Sequence, residues 1–219
     1  MRHITVAAVV GLLLFGALPA LAQEDDEYSR SPFSFQGRVG ALLVSEETFQ
    51  NGASFEIGMM VRLMSGIHLS VGGGTANFNG GTEPIPITEE FALFWEDFLT
   101  LYEVVDPQEP RYRINFGTAG LALKFGGGAF EPYVIGGVGI YQVRFTYTFD
   151  YAPIGFPALY DITSLQDQKY ISGWHAGGGV NVAINQIIGF AGQVSYHALN
   201  TEAIDNPIMV TFGLNVTIP

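Results

Sequence analysis

Apolar and polar side chains alternate at every second position along much of this chain. The pattern is clearest at the C-terminus, where residues 207–219 read PIMVTFGLNVTIP. A period of two places successive side chains on opposite faces of a β-strand. At about eleven residues, the alternating segment also has the length of a membrane-spanning strand, for which roughly 9 to 11 residues suffice.

The same period recurs in seven earlier segments of the chain. The eight predicted strands cover residues 33–44, 53–63, 67–74, 112–125, 132–149, 170–184, 188–198 and 207–219. The fourth segment loses its phase near Gly117, where we expect a β-bulge.

The connections between the predicted strands alternate in length. They measure about eight residues, then three, more than thirty, a short turn containing GGGA, about twenty, three and about nine. An even number of antiparallel strands, with short turns at one end and long loops at the other, is the layout of a bacterial outer-membrane barrel. We therefore predict an all-β fold, an eight-stranded antiparallel up-and-down transmembrane β-barrel. Its last strand pairs with its first, because an open edge would leave unpaired backbone groups in lipid.

The second long connection contains the only change of period. Apolar residues there recur at spacings of three and four, which predicts an amphipathic helix over about residues 88–105 of an extracellular loop. Thr88 is a suitable N-cap, and Glu89 and Glu90 complement the helix dipole. The predicted apolar face comprises Phe91, Phe94, Trp95, Phe98, Leu101 and Tyr102. It needs support from the barrel mouth, outer-leaflet lipid or a partner protein, and the acidic opposite face favours a lid over the mouth.

The N-terminus carries the pattern of a secretory signal peptide over residues 1–22. A basic start at Arg2 precedes an apolar run over residues 4–18, and small residues stand at Ala20 and Ala22. The alternative, a membrane anchor, would need a run of about 20 residues. We expect cleavage after Ala22, a periplasmic tail over residues 23–32, and a barrel domain over residues 33–219.

Composition narrows the class of protein further. The absence of cysteine excludes disulfides, thiolate metal sites, a cysteine nucleophile and a lipidated cysteine. Apolar residues make up 48% of the chain, charged residues only 14%, and 28 residues are glycine. This balance favours a surface that faces something other than water. A soluble periplasmic barrel, with its apolar faces forming a protein core, remains the alternative.

The net charge is −12, which argues against nucleic-acid binding because phosphates would be repelled. Most acidic residues fall in the long connections. There they form either a solvated surface or ligands for the divalent cations that bridge lipopolysaccharide phosphates. Because no EF-hand spacing or phosphate-binding loop is present, we predict no metal site and no cofactor.

Taken together, the strand layout, the glycine-rich stretch YVIGGVGIYQV and the alternating final strand resemble the small outer-membrane barrels of the OmpA and OmpX type. One departure is the last residue, since such barrels usually end in an aromatic and this chain ends in Pro219. The resemblance implies a monomer in the outer membrane of a Gram-negative envelope. It also implies contact with outer-membrane lipid and lipopolysaccharide, and assembly by periplasmic chaperones and the barrel-assembly machinery.

Several charged and histidine residues lie opposite the apolar faces of the predicted strands. They are Arg38, Glu56, Arg62, Arg144, His175 and His197. Side chains fill the interior of an eight-stranded barrel. We therefore predict a packed interior polar network, with an ion pair between Arg38 and Glu56, in preference to a pore lining.

One segment of the chain, SYHALN over residues 195–200, combines the residue types of a catalytic motif. It is similar to the His-x-Ser-Asn pattern of lipid A deacylases, but Leu199 stands where the nucleophilic serine should be. A different pair of Ser195 and His197 is the remaining alternative. We therefore predict a non-enzymatic protein with a structural or surface-interaction role. The first alternative is a narrow channel or carrier for small hydrophobic molecules, and the more remote one is a lipid-modifying outer-membrane enzyme.

Overall fold

The computed structural model describes residues 33–44, 49–81, 84–126, 128–155, 161–201, 204 and 206–218. The predicted signal peptide and periplasmic tail lie outside the described residues. These residues form one α-helix, α1 (Glu89–Leu101), and nine strands. The strands are β1 (Phe33–Leu43), β2 (Gly52–Met64), β3 (Ile67–Asn79), β4 (Tyr102–Pro107), β5 (Arg111–Lys124), β6 (Phe130–Pro153), β7 (Asp161–Ala183), β8 (Ile188–Leu199) and β9 (Ile208–Ile218).

All the strands except β4 form a closed antiparallel ring in the order β1-β2-β3-β5-β6-β7-β8-β9. β9 pairs with β1 along its whole length, with Phe33 opposite Ile218 and Leu43 opposite Ile208. The prediction of an eight-stranded antiparallel barrel closed by the terminal strand is confirmed. We call the end of the barrel that carries the long connections the loop end, and the opposite end the turn end.

The predicted helix forms but ends earlier than expected. α1 stops at Leu101, and Tyr102 has extended backbone angles, with φ −131 and ψ 148. Residues 102–107 form β4, which pairs with the loop-end part of β6. The prediction that residues 102–105 are helical is wrong because the stretch YEVVDP contains two β-branched valines, and alternate side chains are half-buried there.

Three strands of the ring extend well beyond their predicted bounds, and the first of them, β3, continues to Asn79. β6 runs on to Pro153 and β7 begins at Asp161, so these two strands remain paired up to Tyr151 opposite Asp161. Most of the third long connection is therefore a β-hairpin that continues the barrel wall.

The wall of the barrel changes character part of the way along β6. Towards the turn end, the outward residues Val138 and Ile140 are apolar, each 66% exposed. Towards the loop end, the outward positions carry the polar residues Gln142 and Arg144 instead. The inward side chains there are apolar and buried, namely Tyr141, Val143, Phe145, Tyr147 and Phe149. Apolar surface thus moves from the outside of the wall to the inside.

The same change explains the loss of phase in β5. Gly117 lies in continuous register, opposite Gly73 on β3 and Ile140 on β6. The prediction of a β-bulge at this residue is therefore wrong. A register shift is present in β2 instead, between Arg62 and Met64.

A band of apolar side chains and glycines surrounds the turn-end half of the barrel. Its exposed members include Phe35, Ile57, Val71, Leu121, Val138, Val182, Phe190 and Phe212. Within the described residues, no helix is long and apolar enough to cross a membrane. The loop-end half encloses a hydrophobic core, and α1 packs against this core.

Candidate functional site

The interior of the turn-end half is built around an ion pair. Arg38 and Glu56 lie opposite each other on β1 and β2, both pointing inward. The Arg38 Nη2 atom is 2.9 Å from Glu56 Oε2, and the two side chains are 8% and 4% exposed. Arg38 Nε also donates to Glu56 Oε2, at 3.1 Å. These contacts satisfy a charge that would otherwise be costly to bury.

The ion pair is the centre of a network that crosses the lumen. Arg38 Nη1 donates to Gln36 Oε1 and, at 3.4 Å, to Tyr133 Oη on β6. Tyr133 Oη in turn donates to Gln193 Oε1 on β8 at 3.0 Å. Further links are Gln36 to Asn181 on β7, and Thr211 on β9 to Glu56. Six of the eight ring strands are tied together across the interior.

Tyrosine and phenylalanine rings occupy the space left by inward glycines. A Cβ added to Gly179 would lie 2.6 Å from the Tyr133 ring, and one added to Gly74 would lie 2.8 Å from the Phe116 ring. At these positions, glycine makes room for a large neighbour and leaves no open passage.

The predicted network residues occupy different places in the structure. Arg38, Glu56, His175 and His197 are buried in the interior. Arg62 is half-buried near the turn end, opposite His68. The placement of Arg144 in the interior was wrong, because it is exposed on the outer surface. β6 passes into the loop-end half before this residue, and the polar side chains point outward there.

A second group of buried, hydrogen-bonded side chains lies next to the ion-pair network. His197 Nδ1 lies 2.9 Å from Tyr141 Oη, and His197 Nε2 lies 3.0 Å from Ser195 Oγ. The His175 and His197 rings are stacked with centroids 5.8 Å apart. An adjoining cavity of about 30 Å³ touches both histidines, which is room for one or two water molecules.

The contact between Ser195 and His197 has the atom types of a nucleophile and a base. Both residues are at most 2% exposed, and the cavity beside His197 is too small for an acyl chain. The contact is a hydrogen bond within the packed interior. Among the described residues, no group of three or more His, Asp or Glu side chains is placed to hold a metal ion.

The helix α1 packs on the inward face of the loop-end part of β6. Rings on the helix meet rings on the strand edge to face: Phe91 with Phe145 at 5.3 Å, Trp95 with Phe149 at 5.3 Å, and Phe98 with Tyr151 at 5.4 Å. Such aromatic pairs are favourable beyond the area that they bury. Side chains, not open space, fill the contact between helix and strand.

Residues outside the helix hold its N-terminal end in place. Thr88 Oγ1 accepts from Phe91 N at 3.1 Å and donates to Asp167 Oδ2 on β7 at 3.0 Å. The backbone N–H of Thr88 also donates to Asp167 Oδ2, at 3.0 Å. Just before the helix, the backbone N–H of Ile85 donates to Tyr112 Oη at 3.0 Å. Two ring strands therefore fix the segment that enters α1.

Five of the six residues of the predicted apolar face lie on α1 and divide into two groups, and the sixth lies beyond the helix. Phe91, Trp95 and Phe98 contact the barrel, whereas Phe94 and Leu101 are 47% and 63% exposed. Tyr102 belongs to β4 and stacks on Phe98 at 4.9 Å.

Sequence analysis missed the partners of the helix. They are the alternate aromatic residues of YQVRFTYTFDY, residues 141–151, which point inward on β6. Their signal was the alternation of large rings with polar residues. It could have been interpreted as a strand with a buried aromatic face.

Known proteins resemble this chain in structure and not in sequence. No protein-family model and no curated protein matches the sequence. A major outer membrane protein from Thermus thermophilus aligns with a TM-score of 0.53 at 9% identity, covering 85% of this chain and 99% of that one. The outer membrane protein OprG from Pseudomonas aeruginosa aligns with a TM-score of 0.51 at 12% identity, covering 87% of this chain and 98% of that one. The closed ring and these alignments together identify the fold of the chain as that of the small eight-stranded outer-membrane β-barrels.

Proposed function

We propose that the protein is an integral outer-membrane barrel that conducts no solutes and has a structural or surface-interaction role. The observation that carries this proposal is the filling of the interior from the turn end to the loop end. A hydrogen-bonded network occupies the turn-end half, and aromatic packing with α1 occupies the loop-end half.

The apolar band supports a location in the membrane. Outward residues such as Ile57, Val138 and Phe212 are more than half exposed, which is unfavourable in water and favourable in hydrocarbon. Closure of β1 on β9 leaves no unpaired edge within this band. The short turns then belong in the periplasm, and the loop end faces the outside of the cell.

The structure beyond the band supports a role at the surface. The β6–β7 hairpin, β4 and α1 form one folded unit at the loop end, held by the aromatic contacts and by Asp167. A folded projection of this kind can present a defined surface to the surroundings. Apolar residues exposed on it include Leu93, Phe94, Leu101, Ile154 and Ile162.

The alternative function, a narrow channel or carrier for small hydrophobic molecules, would require α1 to act as a gate. Conductance across a planar bilayer separates the two functions. We expect no conductance from the wild-type protein. We also expect no conductance after residues 89–101 are replaced by a short flexible linker, because the ion-pair network still crosses the lumen in the turn-end half. Conductance of the wild type would contradict the proposal, and conductance of the deletion variant alone would identify α1 as a gate.

Location is tested by electrophoresis of an outer-membrane fraction in detergent, with and without boiling. A closed membrane barrel keeps its fold in cold detergent, so we expect its mobility to change only after heating. Recovery of the protein in the soluble periplasmic fraction, with no change in mobility, would show that the apolar band is covered by protein instead of lipid.

A further inference from the structure

The positive charges of this protein are few and unevenly placed. Of the Lys and Arg residues in the described part of the chain, Arg38, Arg62 and Lys124 belong to inward positions in the turn-end half. Three others share one outward surface on β5 and β6, namely Arg111, Arg113 and Arg144, all of them exposed. We call these three residues the arginine cluster.

The arginine cluster places like charges directly against each other. Arg113 on β5 is opposite Arg144 on β6, and Arg111 is two residues from Arg113 on the same face. Such cross-strand pairs are unfavourable unless an anion compensates them. Within the described residues, none of the three arginines forms an ion pair with a carboxylate. Arg113 Nε donates to Asn77 Oδ1 at 2.8 Å, which holds its side chain on the surface of the wall.

A polar row separates the arginine cluster from the apolar band. Asn115 donates to Gln142 at 3.1 Å, and Gln142 donates to Tyr170 Oη at 3.0 Å. Tyr170 is 69% exposed, and Trp174 lies four residues further towards the turn end, at 51%. Tyrosine and tryptophan at this level are typical of the interface between headgroups and hydrocarbon.

Below the polar row the wall contains a groove. It runs over Gly117, Ala119, Val138 and Ile140, and Trp174 is also part of its lining. Gly117 points outward, and a Cβ added there would meet nothing within 4 Å. The groove is therefore open to the surroundings, apolar, and directly beneath the arginine cluster.

We propose that this surface binds the lipid A part of lipopolysaccharide, with Arg113 and Arg144 on a phosphate and one acyl chain in the groove. The inference rests on the proposed outer-membrane location. Charge complementarity selects the occupant, because a phosphate monoester carries a charge of about −1.5 to −2 and arginine pairs with phosphate through two parallel hydrogen bonds. The single negative charge of a phosphate diester, as in phosphatidylglycerol, compensates two facing arginines less well.

The test uses the purified mature protein refolded into phosphatidylcholine vesicles, with and without bisphosphorylated lipid A. Urea unfolding midpoints over a series of lipid A fractions give an apparent affinity. Arg113→Gln and Arg144→Gln are each expected to lower this affinity by about tenfold, the effect of one lost charge-assisted hydrogen bond. Lys169→Gln is the matched control, since Lys169 is exposed on β7 but stands opposite the inward-facing Val143. It removes the same charge and should leave the affinity unchanged.

Two further arms identify the source of the phosphate. Phosphatidylglycerol in place of lipid A, and inorganic phosphate in the buffer, are both expected to shift the midpoint much less than lipid A. An equal shift with either, an equal loss with Lys169→Gln, or no shift with lipid A would overturn the lipid site. Failure of the wild type to insert into any vesicle would overturn the membrane location and the lipid site together. Insertion without dependence on lipid A would overturn the lipid site alone.

Discussion

Single residues in the interior are sensitive to substitution because each one has several partners. Arg38 contacts Glu56, Gln36 and Tyr133, and Glu56 also accepts from Thr211. Removing one partner of a buried pair leaves the other charge uncompensated.

We expect Arg38→Met to lower the free energy of unfolding by about 3 kcal/mol, since Glu56 is left buried without its counterion. The double variant Arg38→Met with Glu56→Met should recover most of this loss, because no buried charge remains. Lys169→Met, at an exposed position, should change stability by less than about 0.5 kcal/mol. Urea unfolding in lipid vesicles measures all three. A loss of less than about 1 kcal/mol for Arg38→Met would show that water solvates the pair.

Position 179 has no room for a side chain, because a Cβ there would collide with the Gly192 carbonyl oxygen and lie 2.6 Å from the Tyr133 ring. We expect Gly179→Ala to lower the free energy of unfolding by about 1 to 3 kcal/mol, the usual cost of overpacking. Gly192→Ala is the control on the neighbouring strand, because a Cβ there meets nothing within 4 Å. The same unfolding measurement should show little change, or a small gain, for the control. Equal effects of the two variants would argue for an interior with spare room at Tyr133.

Residues also show where sequence reasoning is limited. The pairing of Arg38 with Glu56 followed from strand phase and height alone. The side of the wall on which Arg144 lies did not follow from the sequence. Strand phase shows which residues share a face, but it does not show which face points inward. Three tyrosines show the same limit of strand phase. Each would also be suitable at the membrane interface, but all three point inward and are at most 2% exposed, namely Tyr112, Tyr133 and Tyr147.

Among the elements, α1 is the one whose position depends most on distant residues. Its apolar periodicity predicted a helix, and Thr88 caps it as expected. Its contact with β6 and the anchor at Asp167 involve residues 50 to 80 positions away in sequence. Its end at Leu101 reflects competition from pairing between β4 and β6, a tertiary effect that local propensity does not contain.

The anchor of α1 can be tested with Thr88→Ala. The variant loses the cap to Phe91 N and one of the two hydrogen bonds to Asp167, which should cost about 1 kcal/mol of local stability. We expect cleavage by chymotrypsin at α1 to quicken by about fivefold through more frequent local opening, while global unfolding stays nearly unchanged. Thr100→Ala removes an exposed hydroxyl within the same helix and serves as the control. Unchanged cleavage in Thr88→Ala would show that the aromatic contacts alone hold the helix.

At the scale of the whole molecule, the barrel combines two kinds of wall. Along β5 and β6, the wall of the turn-end half has its apolar residues outside, and the wall of the loop-end half has them inside. The level of this change, between Ile140 and Gln142 on β6, marks the expected outer boundary of the membrane.

Two arginine substitutions on the same face of β6 test this boundary. Val138→Arg should lower the free energy of unfolding in lipid vesicles by about 2 to 4 kcal/mol, because it places a charge in hydrocarbon. Thr148→Arg, beyond the boundary, should cost less than about 1 kcal/mol. Urea unfolding in bilayers is the measurement. Similar costs for the two variants would mean that Thr148 is also within the membrane, or that Val138 is not.

The sequence by itself determined the number of ring strands, their order along the chain, the alternation of short turns with long loops, and the presence of one amphipathic helix. These features are local, since an apolar period of two residues, or of three to four, depends only on residues that are close together in sequence. Only the tertiary structure decided where each strand ends, which half of β6 has its apolar face inside, what α1 rests on, and that three arginines share one surface. These features depend on register between strands that are distant in sequence, and a given register is selected by packing across the whole barrel.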